Sequence, residues 1–255
     1  MTTMLRTLSV ERIKLLSTRS PYWCTVLILI SVWGIALAVS LVENGRDASV
    51  ASSQFGGRFG MLTFLVMAAL AVTTEYRFGT IRNSLLAVPS RTVLLVSKTV
   101  VMALIGAVIA AVASGGAFLL TQALAKAPRD GAITLDSDGA VRMVFGYCAL
   151  YAIGAVLAVG IGTLLRQSAG AITLLLLWPL LAEQLVLLIS PLRDLVPWLP
   201  FNAAFTFVNG EDSGGMFGGL SGSDGPTPAQ GLLIFGATAL VIWLLALLTL
   251  QRRDA

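Results

Sequence analysis

The chain has 255 residues, of which 56% are hydrophobic and only 12% charged, with a mean hydropathy of +0.87; a water-soluble domain carries about a quarter charged residues, so this composition points to a bilayer as solvent. Histidine is absent, which removes the commonest general base and metal ligand and excludes any Ser/His or Cys/His nucleophile pair. The net charge of +4 lies beside apolar runs, so it reads as membrane topology and attraction to anionic headgroups, not as a nucleic-acid surface.

Residues 2–19 form a basic arm with Arg6, Glu11, Arg12, Lys14 and Arg19. On a helical wheel Met4, Leu5, Leu8, Ile13, Leu15 and Leu16 gather on one broad side, with Arg12 intruding. An interfacial helix on the cytoplasmic face is expected; the alternative is a solvated tail. The first span is expected over 21–42, with Pro21 at an early helix position and Tyr22 and Trp23 at the interface. It follows a charged arm, is long enough to cross, and has no small-residue cleavage pattern, so a cleavable signal peptide is not expected.

A polar outer loop covers 43–58. The second span, 59–75, is near the lower length limit for crossing and is expected to begin before Phe59. A short helix over 76–88 follows, ended by Pro89. The third span is 93–122, with Lys98 expected to snorkel back to the cytoplasmic interface. Gly106, Ala110 and Ser114 place small residues at i, i+4, i+8 for close helix approach. After an outer loop, 126–140, the fourth span, 141–165, carries a second small series, Gly154, Ala158 and Gly162. Arg166 and Gln167 make a tight turn into the fifth span, 169–189, which Pro179 should kink.

Pro191, Pro197 and Pro200 forbid one continuous helix over 191–207, so two short re-entrant segments in the outer leaflet are expected. A Gly/Ser-rich outer loop, 209–230, precedes the sixth span, 231–250. On this topology eleven of the 17 Lys and Arg face the cytoplasm and both termini are inside. Cys24 and Cys148 then lie about 15 Å apart along the membrane normal, beyond the ~7 Å a disulfide needs.

The chain has no G-x-x-x-x-G-K-[ST] phosphate loop. The glycine-rich run 210–225 lacks a following lysine and a preceding strand and reads as a flexible loop. Asp136-Ser137-Asp138-Gly139 has the opening of a calcium loop without its remaining ligands, and reads as a polar turn. Lys98 has no particular serine to pair with, so no catalytic residue and no metal site are assigned. Met61, Phe64, Met67, Met102 and Phe118 could line a hydrophobic pocket; simple packing is the plainer reading. Glu183, followed by Gln184, is the one carboxylate well inside an apolar segment. It either lines a translocation path or is an interfacial carboxylate bonded to a neighbouring helix or to the re-entrant backbone.

The stretch 75–91 stands apart. Phe78, Ile81 and Leu85 fall at i, i+3 and i+7, an apolar stripe that an ordinary positive-inside loop does not need. It needs a surface to dock on: lipid, the chain's own spans, or a soluble partner. Glu75 should pair with Arg77 or Arg82, or cap the following helix. The run Glu75-Tyr76-Arg77-Phe78-Gly79-Thr80-Ile81-Arg82, followed by Leu85-Leu86-Ala87-Val88-Pro89-Ser90-Arg91, resembles the cytoplasmic loop of ABC-2-type exporter permeases, notably bacterial multidrug and peptide-antibiotic exporters.

That resemblance implies a single all-α membrane domain over 1–255, with six spans, an interfacial N-terminal helix, a cytoplasmic coupling helix and re-entrant outer helices. It implies that Glu75, Arg77, Phe78, Gly79, Thr80, Ile81, Arg82 and Leu85 belong to the region that docks on a separate ATPase subunit. The partner would bind ATP and Mg; this chain would hold no cofactor and hydrolyse nothing. A second permease copy or a homologous permease would complete a dimer in the bacterial cell membrane, among lipids and without nucleic acid. The expected cargo is drug-like, peptidic or lipidic. Two other classes stay open: a non-transporting assembly or immunity subunit, and a membrane-embedded lipid-modifying enzyme, against which the missing histidine argues.

Overall fold

In a hydrocarbon solvent every backbone N–H and C=O must find its partner within the protein, and an apolar run does so by becoming a helix. The computed structural model describes residues 2–42, 48–81, 90–125, 133–210 and 225–252, and every regular element among them is helical. In chain order these are α1 (Thr2–Ser17), α2 (Arg19–Leu41), α3 (Val50–Ser53), α4 (Gly56–Arg77), α5 (Arg91–Leu124), α6 (Asp138–Leu165), α7 (Ser168–Leu177), a π-helical turn (Trp178–Ala182), α8 (Glu183–Val186), a 3-10 segment (Ser190–Trp198), α9 (Pro200–Asn209) and α10 (Pro228–Arg252). Six helical stretches are long and apolar enough to cross a membrane: Arg19–Leu41, Val50–Arg77, Arg91–Leu124, Asp138–Leu165, Ser168–Val186 and Pro228–Arg252. The chain is therefore a multi-pass, all-helical membrane protein.

Two boundaries depart from expectation. The polar stretch 43–58 is not all loop. The Ser49 hydroxyl accepts from the Ser52 N–H at 3.1 Å while the Ser52 hydroxyl accepts from the Ser49 N–H at 2.8 Å, a reciprocal cap that starts α3. From Gly56 the chain is helical again, so the second span begins before Phe59, as expected. Arg58, expected in the outer loop, sits in the first turn of α4, 6% exposed, with its guanidinium over the rings of Phe55 (5.3 Å) and Phe205 (5.5 Å). The reason is close packing by glycine: a Cβ on Gly56 would lie 2.7 Å from Val32 Cα, so only the bare backbone lets α4 begin against α2.

The fifth span is the second departure. Pro179 does more than kink it. The Glu183 N–H reaches back five residues to the Trp178 carbonyl, and the helix widens into a π turn over Trp178–Ala182. Beyond Ile189 the chain forms two short helical pieces, the 3-10 segment and α9, with Pro200 opening α9 where its missing N–H costs nothing.

Helix α6 is the centre of the bundle, packing on α4, α5, α7, α9 and α10. Both small-residue series lie at contacts between helices. Gly106 of α5 meets the ring of Phe64, Ser114 donates to the Val144 carbonyl at 2.6 Å, and Gly154 and Gly162 of α6 lie against Leu65 and Ala69 of α4. The Trp33 indole ties α2 to the Ala113 carbonyl of α5 at 3.0 Å. Met61, Phe64, Met67, Met102 and Phe118 are all buried and pack the interior. By contrast α2, α7 and α10 present leucine and isoleucine faces outward, as lipid contact requires. Cys24 and Cys148 are free thiols.

Candidate functional site

Helix α1 approaches the bundle with one narrow face. Thr7, Glu11 and Leu15, spaced i, i+4, i+8, are buried, whereas Val10 and Ile13 are exposed. Of the broad apolar side expected of this helix, Leu8 and Leu15 pack on the bundle and Ile13 faces out, and the docked face carries the carboxylate of Glu11 at its middle. Glu11 meets Lys98 of α5 at 2.5 Å and Lys14 at 3.2 Å. Lys98 also meets Glu75 at 2.9 Å, and Lys14 meets the same Glu75 oxygen at 3.3 Å. Two carboxylates and two ammoniums thus form one neutral cluster joining α1, the last turn of α4, and α5.

This arrangement corrects two expectations. Lys98 does not snorkel outward: it is 4% exposed and held between two carboxylates. Glu75 does not pair with Arg77, because it lies on the buried face of α4 that looks at α5, while the Arg77 guanidinium stacks over the Phe78 ring at 5.6 Å. The Lys14 ammonium is part-exposed. Burial alone would lower its pKa, but the Coulombic pull of Glu11 and Glu75 and its hydrogen bonds to them outweigh that and raise it above 10.5. Glu75 is 9% exposed, and its second oxygen, Oε2, has no hydrogen-bond partner among the described residues.

Directly after this cluster the chain breaks. The Phe78 N–H closes α4 on the Thr74 carbonyl at 2.9 Å, and Gly79 takes φ +70°, a left-handed conformation that glycine adopts without a Cβ clash. Helix resumes at Thr80 and Ile81. The expected helix over 76–88 is therefore interrupted: residues 76–77 belong to α4 and 78–79 to the turn. Phe78 is 71% exposed and Ile81 only 8%, so the two do not share the stripe that their spacing suggested. Arg82 and Leu85 lie outside the described residues.

A cavity of about 380 Å³ opens beside the cluster, between α1, the start of α2 and the inner face of α4, with Leu15, Met67 and Leu70 on its apolar wall and Lys14, Thr74 and Glu75 on its polar one.

The second site is at Glu183. Its carboxylate is buried and both oxygens are engaged: the Phe201 N–H donates at 3.0 Å, the Asn202 N–H at 2.9 Å and the Asn202 side-chain amide at 2.7 Å. Glu183 thus supplies to α9, from another helix, the cap that its own Leu199 does not provide. Of the two readings open for this residue, the structure displays the bond to the backbone of the proline-broken stretch. Gln184, one residue on, is half-buried and does not join it.

Glu11, Lys14 and Lys98 were not singled out from sequence as one cluster. The available signal was that Glu75 closes one apolar span and Lys98 sits inside the start of the next, two opposite charges that a bundle can neutralise by bringing them together. Among the described residues no three His, Cys, Asp or Glu side chains gather as metal ligands. No family model matches this chain, and no curated protein matches it.

Proposed function

We propose that the chain is the membrane-spanning permease subunit of a bacterial ABC exporter, working as a dimer with a second permease and driven by a separate ATPase subunit. Both termini and the 78–81 turn then face the cytoplasm, and the 3-10 segment and α9 form the re-entrant outer helices. The observation that carries this reading is the fastening of Glu75 to α1 and α5 immediately before the exposed Phe78 and the left-handed Gly79. A push delivered to that tip would be transmitted to three helices at once. The ATPase contributes free energy only through different contacts with two permease states, and the 78–81 tip is where such contacts would be made.

The test is purification of the tagged protein from its native membrane in mild detergent. A stoichiometric soluble ATPase should co-purify and be lost when Phe78 and Ile81 are made polar. Recovery of no nucleotide-binding protein under several detergents would sink the exporter reading. Glu75→Ala and Arg82→Ala are expected to leave the protein folded while uncoupling ATP hydrolysis from transport; unchanged transport in both singles and the double would count against a coupling role.

A further inference from the structure

We propose that Glu183 is a proton-operated latch: its carboxylate holds α9 in the bundle, and a proton taken up at that carboxylate releases α9. This inference rests on the membrane-spanning architecture and not on the export reading.

Three observations lead there. The first is the chemistry of the fastening. Glu183 directly follows the π turn of the fifth span, and three N–H groups of α9 converge on it, Phe201 on one oxygen and the Asn202 backbone and side-chain amide on the other. A carboxylate accepts from all of them. Protonation turns one oxygen into a hydroxyl that points its own donor at an N–H group, and it removes the negative charge that the N-terminus of α9 attracts. The charged form therefore prefers the docked helix and the neutral form does not, so the proton binds the two arrangements with different affinity.

The second is charge. Glu183 is 2% exposed, and among the described residues it makes no ion pair. The π turn and α9 carry no titratable side chain. The 3-10 segment carries Arg193 and Asp194, both exposed, and the Arg193 Nε donates to the Leu187 carbonyl at 3.0 Å. Of the helices packed on α9, α10 has only Arg252 at its far end, and α6 has Asp138, Arg142, Tyr147 and Tyr151. Arg58 of α4 lies over the Phe205 ring. None of these bonds to Glu183, so its charge is balanced by N–H dipoles alone.

The third is the build of α9. Phe201 to Asn209 are all buried except the half-buried Phe207, and the backbone leaves the helix at both ends, extended at Leu199 (φ −69°, ψ 144°) and left-handed at Gly210 (φ +88°). A short rigid body with a non-helical joint at each end can swing as a unit. Phe201 rests on the rings of Trp178 and Phe235, 6.0 and 5.5 Å away, contacts that pH does not alter. The sign follows: the latch is closed while Glu183 is ionised and opens as pH falls through its titration.

The test is hydrogen exchange of the full chain in phosphatidylcholine nanodiscs between about pH 8 and about pH 4, each rate divided by that of an unstructured amide at the same pH. Corrected exchange in α9 should rise several-fold in one step on acidification while α4 and α5 stay protected. Glu183→Gln, which fixes the neutral form, should exchange fast in α9 at every pH. If that variant fails to fold, Asn202→Ala, which removes one side-chain donor and leaves the charge, should release α9 at a higher pH than the parent. Protection of α9 that does not change with pH, a rise shared equally by α4 and α5, or a Glu183→Gln variant that keeps α9 protected or responds to pH as the parent does would overturn the proposal.

Discussion

An ammonium that touches carboxylates on two different helices, as Lys98 touches Glu11 and Glu75, fixes the separation of those helices. Lys98→Met leaves two acidic groups near each other with only Lys14 between them, and breaking a buried pair in this way costs about 3–5 kcal/mol. Thermal unfolding in detergent should show that loss, and Lys98→Met with Glu11→Gln should recover part of it, because the second change removes one orphaned charge. A double variant no more stable than Lys98→Met would show that the pair is not coupled. Lys14 adds a pH signature. Its pKa is raised on folding, so its contribution is present below 10.5 and is lost as pH rises through the folded value. A spin label at Val10→Cys, in a chain with Cys24 and Cys148 replaced by serine, should gain mobility above that pH and not below it. At the other end of the molecule, Glu183→Ala strands the Phe201 and Asn202 donors, at about 1–3 kcal/mol for each unsatisfied group, and should speed hydrogen exchange in α9 before the rest of the bundle. Glu183 was legible in the sequence because a carboxylate inside an apolar run is conspicuous. Glu11 was not, because on a basic arm it reads as one more interfacial charge.

At the level of helices, the apolar runs were plain and their ends were not. Glycine is the reason at 43–58: Gly56 and Gly57 read as loop residues, yet a Cβ on Gly56 would meet the Val32 backbone and one on Gly57 the Tyr147 ring. The consequence can be tested with two substitutions of the same kind. Gly56→Ala drives a methyl into the Val32 backbone, which no rotamer change can relieve, and should destabilise by about 1–3 kcal/mol. Gly34→Ala meets nothing within 4 Å and should stabilise α2, by up to about 1 kcal/mol from helix propensity. Equal melting temperatures for the two variants would argue against the close α2–α4 packing. The break at Gly79 escaped the sequence for the opposite reason: the spacing of Phe78 and Ile81 fits a helix, and only the left-handed residue between them turns one outward and the other inward. Pro179 announced a kink but not its form, since whether a helix bends or widens to a π turn depends on the neighbours that absorb the extra residue.

The whole molecule is a set of apolar helices packed around α6, with a few buried charges among the described residues, Glu11, Glu75, Lys98 and Glu183 foremost. That much follows from composition and from where the small residues fall. What the sequence could not reveal is which distant segments share a cluster, because pairing of charges is a property of the closed bundle. The link between Glu11 and Lys98 spans 87 residues, and this separation has a bearing on how the protein is made. While the nascent chain emerges, α1, α2 and α4 are complete before Lys98 has left the ribosome. Until then Glu11 and Glu75 have only Lys14 between them, and the ion cluster that fastens α1 is incomplete. Arrival of the third span supplies the missing ammonium, so the amino-terminal helix, although synthesised first, completes its contacts only after a helix made much later is in place.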